Sequence, residues 1–358
     1  MTEMTSRQRV LAALRGEAHD RVPYMELYID EHFARRLLNL PPIDTPSPMS
    51  GTSPVTCGYF GGHTYDPLDL AEALELDSIM MSIQPQIYFK TRLVDGSYFV
   101  EGGRIHTRDD LKLIDLPDPD FTEIYEPARR FIERFRPLGY AIGCFINLGS
   151  DPVVLSMGWD HFCYALYDDP ELVDTMFEIY SSWYAKAVRH ICELGFDFIW
   201  AGDDIAFNSG PIISPHTFRK YFMPNYRRVA DEITLPWIFH TDGNFLPILE
   251  DLLSLKMDAL HPNEPDAVDI MDVKESVNGR VTLIGNIDIN VLSRGTPGEV
   301  ITLTRDTIRS VAGDGRFILS SSNSITKSCQ VDNVLAMIKA CRQCGNYPIL
   351  QENLQEVL

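Results

Sequence analysis

The stretch Gly195-Phe196-Asp197-Phe198-Ile199-Trp200-Ala201-Gly202-Asp203-Asp204 decides how the rest of the chain is read. A helical pattern over Glu171–Leu194 precedes it, and Gly195 stops that helix because glycine accepts the backbone conformation of a helix end. Phe196–Trp200 is then too short and too apolar for another helix and reads as a buried strand, which opens onto the polar Gly202-Asp203-Asp204. Seven other segments share its short apolar character, and most of them also open onto a polar residue: Val22–Tyr28, Leu76–Met81, Tyr140–Ile146, Leu235–Phe239, Met257–Leu260, Val281–Ile284 and Phe317–Leu319. Helical patterns lie between the later ones. A parallel strand needs a crossover before the next can pair, so the alternation reads as βα units, and eight such units predict a single (β/α)8 TIM barrel.

In such barrels the residues just past the C-terminal strand ends line one shared mouth, where chemistry is done. Here those positions carry Asn147, Asp203 and Asp204, His240 and Asp242, His261 and Glu264, Asn286 and Asp288, and Asn323. On the first segment Tyr24, Glu26 and Tyr28 alternate with Pro23, Met25 and Leu27, so the polar three share a face and are candidates to point inward. A buried Glu26 would have a raised pKa and could protonate a leaving group. In an extended backbone only one of the adjacent Asp203 and Asp204 can face the pocket. Several of these residues also have a structural alternative: a hydrogen bond in a buried polar layer for His240, support behind a neighbouring site residue for His261, helix capping for Glu264, an ion pair with Arg294 for Asp288 and satisfying loop backbone for Asn323.

The 358 residues, 45% of them apolar, are enough for one domain over 1–358 with a large core. Residues 1–21 would form an N-terminal helical extension, and the Pro-, Gly-, Ser- and Thr-rich stretch 40–69 a loop or lid over the barrel. Thr5 and Gln8 form a capping box for a helix ended by Gly16, and Thr296-Pro297-Gly298-Glu299 forms another for a helix ending near Gly313. Formal charge is −20, from 31 Lys and Arg against 51 Asp and Glu, a field that repels nucleic acid and anionic lipid. No apolar run reaches membrane-spanning length and Met1–Arg9 lacks a signal core, so a cytoplasmic protein is expected. Seven scattered cysteines do not form a disulfide framework, and the lone Cys341/Cys344 pair reads as two small residues of the last helix.

The opening Ser6-Arg7-Gln8-Arg9-Val10-Leu11-Ala12-Ala13-Leu14-Arg15-Gly16 and the following Asp20-Arg21-Val22-Pro23 resemble the start of the uroporphyrinogen decarboxylase superfamily, in its methyltransferase-like branch. Gly202-Asp203-Asp204, Ser214-Pro215 with Phe218, Leu283-Ile284-Gly285-Asn286-Ile287-Asp288, Gly295-Thr296-Pro297 and Asn333-Val334 follow in the family's order. The resemblance implies one barrel with its site at the strand mouths. True decarboxylases of this superfamily carry an arginine-containing N-terminal motif, roughly Arg-Gln-Ala-Gly-Arg. Tyr28-Ile29-Asp30-Glu31-His32-Phe33-Ala34-Arg35-Arg36 does not reproduce it. An acid-rich mouth also suits a polycarboxylate substrate poorly, because arginines are the natural partners of carboxylates.

The other branch is similar to methyltransferases that work with corrinoid proteins, some of which hold zinc through a His-x-Cys pair and a later Cys. This chain has His240-Thr241-Asp242-Gly243-Asn244 and Ser320-Ser321-Ser322-Asn323-Ser324 instead, so the thiolate version of the site is absent. The resemblance therefore implies an enzyme moving a methyl group from a small O- or N-methylated compound to a corrinoid protein. Cobalamin would arrive only on that separate partner, docked over the mouth of a monomer or homodimer. A poor alkoxide or phenoxide leaving group needs a Lewis or general acid, and His240, Asp242 and Glu264 are candidates for either role, including as zinc ligands. Glu26, Asp204, His240 and Asp242 are the candidate catalytic residues. Tyr24, Tyr28, Asn147, Asp203, Asn286, Asp288 and Asn323 are candidates for substrate binding. A decarboxylase of a tetrapyrrole or smaller acid and a non-catalytic binding barrel remain as alternatives.

Overall fold

A computed structural model describes residues 3–43, 55–59, 64–94 and 97–349. Its main sheet is curled and has seven parallel strands, Ser78–Pro85, Ala141–Ile146, Phe198–Gly202, Trp237–His240, Ala259–His261, Thr282–Ile287 and Phe317–Ser321, each hydrogen-bonded to the next in chain order. These correspond to seven of the eight expected segments.

The eighth, Val22–Tyr28, is not a regular strand. It lies between the two edges of the sheet and touches both: Met25 N–H donates to Leu319 O at 3.0 Å, Leu319 N–H to Pro23 O at 2.9 Å, and Asp77 N–H to Tyr24 O at 2.8 Å. The departure from a ladder has a local cause. Pro23 has no N–H, the Tyr24 N–H is taken by the Asp77 carboxylate at 2.9 Å, and the Ser321 N–H by the Glu26 carboxylate at 2.9 Å. Side chains have replaced carbonyls as acceptors. The outer half of Ser78–Pro85 is instead paired antiparallel by Val55–Tyr59, inside the stretch expected to be an irregular loop. The rest of that expected loop or lid lies largely outside the described residues.

Every residue of Phe198–Gly202 is buried, because the sheet is covered on both faces. Alternate residues go to two different cores. Phe198 and Trp200 join Met80, Phe145, Ile238, Ala259, Ile284 and Ile318 inside the curl, while Ile199 and Ala201 pack outward against the helices. The inner cluster also contains Val10, Ala13 and Leu14, so the helix Ser6–Arg15 plugs the N-terminal end of the sheet. Its Thr5/Gln8 capping box and left-handed Gly16 are present as expected, and so is the Thr296/Glu299 box.

Acids recur immediately before strands. Asp77, Asp197 and Asp258 each accept the backbone N–H of a residue on the neighbouring segment, Tyr24, Ile142 and Trp237 respectively, at 2.9 Å in all three cases. They staple neighbouring segments at the N-terminal end of the sheet and leave the C-terminal end free for function. Cys341 and Cys344 are buried in the helix Val331–Cys344, as small core residues. No described helix is long and apolar enough to cross a membrane.

Candidate active site

At the C-terminal end of the sheet, four elements bring acids and imidazoles together. His240 ends its strand, and its ring packs over Gly202 of the adjacent one, where a Cβ would lie 3.3 Å from His240 Cδ2 and 2.8 Å from the Phe145 ring. Gly243 turns the chain with φ +79°, and a Cβ there would meet the Ala206 carbonyl oxygen at 2.5 Å. Glycines at both positions let Asp242 swing back beside His240.

His240 Nε2 lies 3.6 Å from Asp204 Oδ1 and 3.7 Å from Asp242 Oδ1, and one donor atom from each of the three fits within a 4.8 Å cluster. Asp204 is thus the member of the adjacent pair that faces the mouth. Asp203 turns inward, where its carboxylate accepts backbone N–H groups from Leu148, Gly149 and Asp151 at 2.8, 3.1 and 2.7 Å. It shapes the loop after Ala141–Ile146. Asp151, which sequence reasoning missed, follows that loop and accepts the Asp204 N–H at 3.0 Å. Burial pushes its carboxyl well above the ordinary range, with Asp203 and Asp204 adding repulsion.

Asn323 donates to Asp242 Oδ2 at 2.7 Å and to Glu264 Oε1 at 3.2 Å, tying the two acids together. Glu264 also accepts the Gly243 N–H at 2.8 Å, so it holds the Asp242 turn and lies one amide away from the His240 cluster. Burial raises Asp242 to about 6, helped by Asp204 and Glu264 and opposed by His240. Its Oδ1 is buried without a hydrogen-bond partner. Among the described residues no Lys or Arg forms an ion pair with Asp151, Asp203, Asp204, Asp242 or Glu264; the partner within ion-pair distance of Asp204 and Asp242 is His240.

Beneath this cluster His261 is 1% exposed, with Nδ1 2.7 Å from His240 Nδ1 and its ring edge-on to Trp200 at 4.8 Å. Burial, then the neighbouring His240, pushes its pKa well down. Glu26 lies deeper still. It accepts from Ser320 Oγ at 3.1 Å, Ser321 Oγ at 2.7 Å and Ser321 N at 2.9 Å, and burial raises it to about 7 against the pull of those donors.

The remaining expected site residues are dispersed. Tyr24 is fully buried within the closing segment. Tyr28 lines a separate cleft with Arg36, Asn290 and Arg294. Asn147 donates to Gly202 O and accepts from Gln84 Nε2 at 2.7 Å and Tyr184 OH at 3.2 Å, in a buried polar layer. Asn286 donates to Asn263 O at 3.0 Å, and Asp288 caps the helix Ile289–Arg294 by accepting the Asn290 N–H at 2.7 Å.

The chain is similar to known proteins over much of its length. A curated relative, a methylated-thiol--coenzyme M methyltransferase of Methanosarcina mazei, is 23% identical over 176 residues, which cover 49% of this chain and 46% of the relative. The match thus spans about half of the curated relative's length. Among solved structures, a methyltransferase from Methanosarcina mazei superposes with a TM-score of 0.72 at 18% identity, covering 95% of this chain and 99% of that one. A B12-independent methionine synthase from a Shewanella species reaches a TM-score of 0.53 at 12% identity, covering 90% and 97%. At these identities the two structures speak to the fold alone, and the first shares it across nearly the whole chain. Residues 98–344 match the family Uroporphyrinogen decarboxylase (URO-D), and with more than half of its length inside that match the chain belongs to this family.

Proposed function

We propose that this protein is a methyltransferase that takes a methyl group from a small O- or N-methylated compound and passes it to the cobalt of a corrinoid carried by a separate protein, assisted by a divalent cation. One observation carries the reading: among the described residues, the buried Asp242 Oδ1 has no hydrogen-bond partner and sits beside His240 Nε2 and Asp204 in a mouth whose acids pair with no Lys or Arg. An unpartnered carboxylate oxygen among other acids is costly to bury unless a positive charge joins it. One imidazole nitrogen and carboxylate oxygens are a donor set that suits Zn²⁺ and leaves an open position. The methyl-transfer half of the reading is supported by the similarity to the Methanosarcina methyltransferases.

Within this reading Asp204, His240 and Asp242 hold the cation, and Glu264 and Asn323 keep Asp242 in place. The bound cation supplies a Lewis acid for the oxygen or nitrogen that leaves as the methyl group departs. Asp151 and Asp203 fix the loop that carries the floor of the mouth. The same acidity disfavours an anionic polycarboxylate substrate, as a porphyrinogen decarboxylase would need.

The test combines metal content with turnover. Wild type is expected to hold about one divalent cation per chain and His240→Ala none, by elemental analysis and calorimetric titration with Zn²⁺. With free cob(I)alamin as the methyl acceptor, wild type should form methylcobalamin from a panel of methoxylated and N-methylated compounds, followed by absorbance, and His240→Ala should not. A wild type that neither binds a cation nor methylates cob(I)alamin from any of them would defeat the proposal.

A further inference from the structure

From Glu26 a continuous line of hydrogen-bonding groups leads out to the mouth. Glu26 Oε2 is 3.1 Å from Ser320 Oγ, Ser320 Oγ is 3.4 Å from His261 Nε2, His261 Nδ1 is 2.7 Å from His240 Nδ1, and His240 Nε2 faces Asp204 and Asp242. Glu26, His261 and Ser320 are 4%, 1% and 0% exposed, so bulk water does not compete for these contacts. The three come from three different elements: the irregular closing segment, the end of Ala259–His261 and the strand Phe317–Ser321.

The chemistry of each link restricts the next. Above its value of about 7 Glu26 is a carboxylate and only accepts, so Ser320 donates its single proton to Glu26 and has only lone pairs left for His261. His261 Nε2 must then carry a hydrogen. A neutral imidazole carries one N–H, so with Nε2 protonated the His261 Nδ1 is bare and, at 2.7 Å, accepts from His240 Nδ1–H. With its one N–H at Nδ1, the His240 imidazole has a bare Nε2, which lies 3.6 Å from Asp204 Oδ1 and 3.7 Å from Asp242 Oδ1. A cation needs that lone pair there.

We propose that Glu26 is a positioning residue that acts through Ser320 and His261 to set the tautomer of His240, presenting the Nε2 lone pair to the cation at Asp204 and Asp242. The inference rests on the reading of His240 as a cation ligand, but the tautomer it assigns belongs to the metal-free protein and can be measured there. Partners behind a metal-bound histidine usually fix its tautomer by a single contact; here the control reaches through two intermediates to a buried acid on the segment that closes the sheet.

Glu26→Gln reverses the chain with almost no change of shape. The Ser321 N–H keeps the amide oxygen at the Oε1 position, which puts the amide NH₂ where Oε2 stood, facing Ser320 and Ser321. Ser320 then accepts from the amide and turns its own proton to His261 Nε2. His261 carries its hydrogen on Nδ1, and His240 carries its own on Nε2, which closes the site.

Imidazole ¹⁵N shifts of the metal-free protein, recorded at about pH 8.5 where Glu26 lies above its value of about 7, report which nitrogens are bare. The expected result is a bare His240 Nε2 in wild type, a protonated one in Glu26→Gln, and mixed signals in Ser320→Ala, where the link is cut. Zn²⁺ titration should show affinity lowered by about 10- to 100-fold in Glu26→Gln and by less in Ser320→Ala. Unchanged His240 shifts in Glu26→Gln, or in Ser320→Ala if the glutamine variant does not fold, would overturn the proposal. If wild type shows the assigned tautomers but takes up no cation, the assignment of the Glu26 chain survives and the metal reading of the site fails.

Discussion

Asp77, just before the strand Ser78–Pro85, and Asp242, just after the strand Trp237–His240, are aspartates at opposite ends of one sheet with opposite surroundings. Asp77 is met by Arg9 at 2.7 Å, by both terminal nitrogens of Arg21 at 3.1 Å and by the Tyr24 N–H at 2.9 Å. Arg9 continues to Asp20 at 2.7 Å, so the N-terminal end carries a compensated network. Asp242 has an amide, a distant imidazole and other acids for company. The first arrangement lowers the free energy of the folded chain, while the second raises it and is tolerable if a ligand brings positive charge. The contrast separates charge that builds the fold from charge that waits for chemistry.

Substitution and pH at the two ends of the sheet test this contrast. The largest effect is expected from Asp77→Ala, which removes one of the two carboxylates that hold the buried Arg9 guanidinium, leaves Arg21 without its acid and unstaples the closing segment. Urea unfolding should show a loss of about 3–5 kcal/mol, and a loss below 1 kcal/mol would mean the network adds little. Next comes acid. Burial pushes Asp20 up, but Arg9 and the Met4 N–H outweigh it and hold the carboxyl at about 2. A depressed folded pKa contributes stability that is complete above the unfolded value and is lost as pH falls through the folded one. About 2 kcal/mol should therefore disappear between about pH 4 and pH 2, and Asp20→Asn should flatten that limb.

The smallest effect has the opposite sign and belongs to the mouth. Glu26, at about 7, keeps its proton in the folded chain where the unfolded chain has released it, so stability falls as pH rises between the unfolded and folded values. Lowering pH from about 8 to about 6 should stabilise the metal-free protein by about 1 kcal/mol in denaturant titrations. Asp242→Asn, which removes an uncompensated charge while leaving an oxygen for Asn323, should give a similar gain of about 1 kcal/mol after solvent screening. If it destabilises the metal-free protein instead, the mouth is not strained by its acids.

Much of the architecture was legible because hydrophobic periodicity and helix caps are local signals. Gly195 and the run Phe196–Trp200 announce a helix end and a strand, and Thr5 with Gln8 announces a helix start, whatever lies elsewhere in the chain. The polar residues at strand exits identified the right end of the sheet, and His240 with Asp242 stand at the centre of the cluster found there. The apolar pattern of Val22–Tyr28 predicts a regular strand because it is silent about Asp77 and Glu26 taking over the acceptor roles of a ladder. The repeated apolar-Asp pattern of Leu76-Asp77, Phe196-Asp197 and Met257-Asp258 was a usable signal for the staples at the opposite end.

Strands alternating with helices, the places where the chain turns, and acids and histidines following the strands are all dictated by neighbours within a few residues. That Asp204 rather than Asp203 faces His240, that Asp151 joins the acids, and that Glu26 reaches His240 through Ser320 and His261 depends on how distant segments pack. Those relations join residues up to 294 positions apart, and they arise because curling the sheet brings its last strand against its first segment.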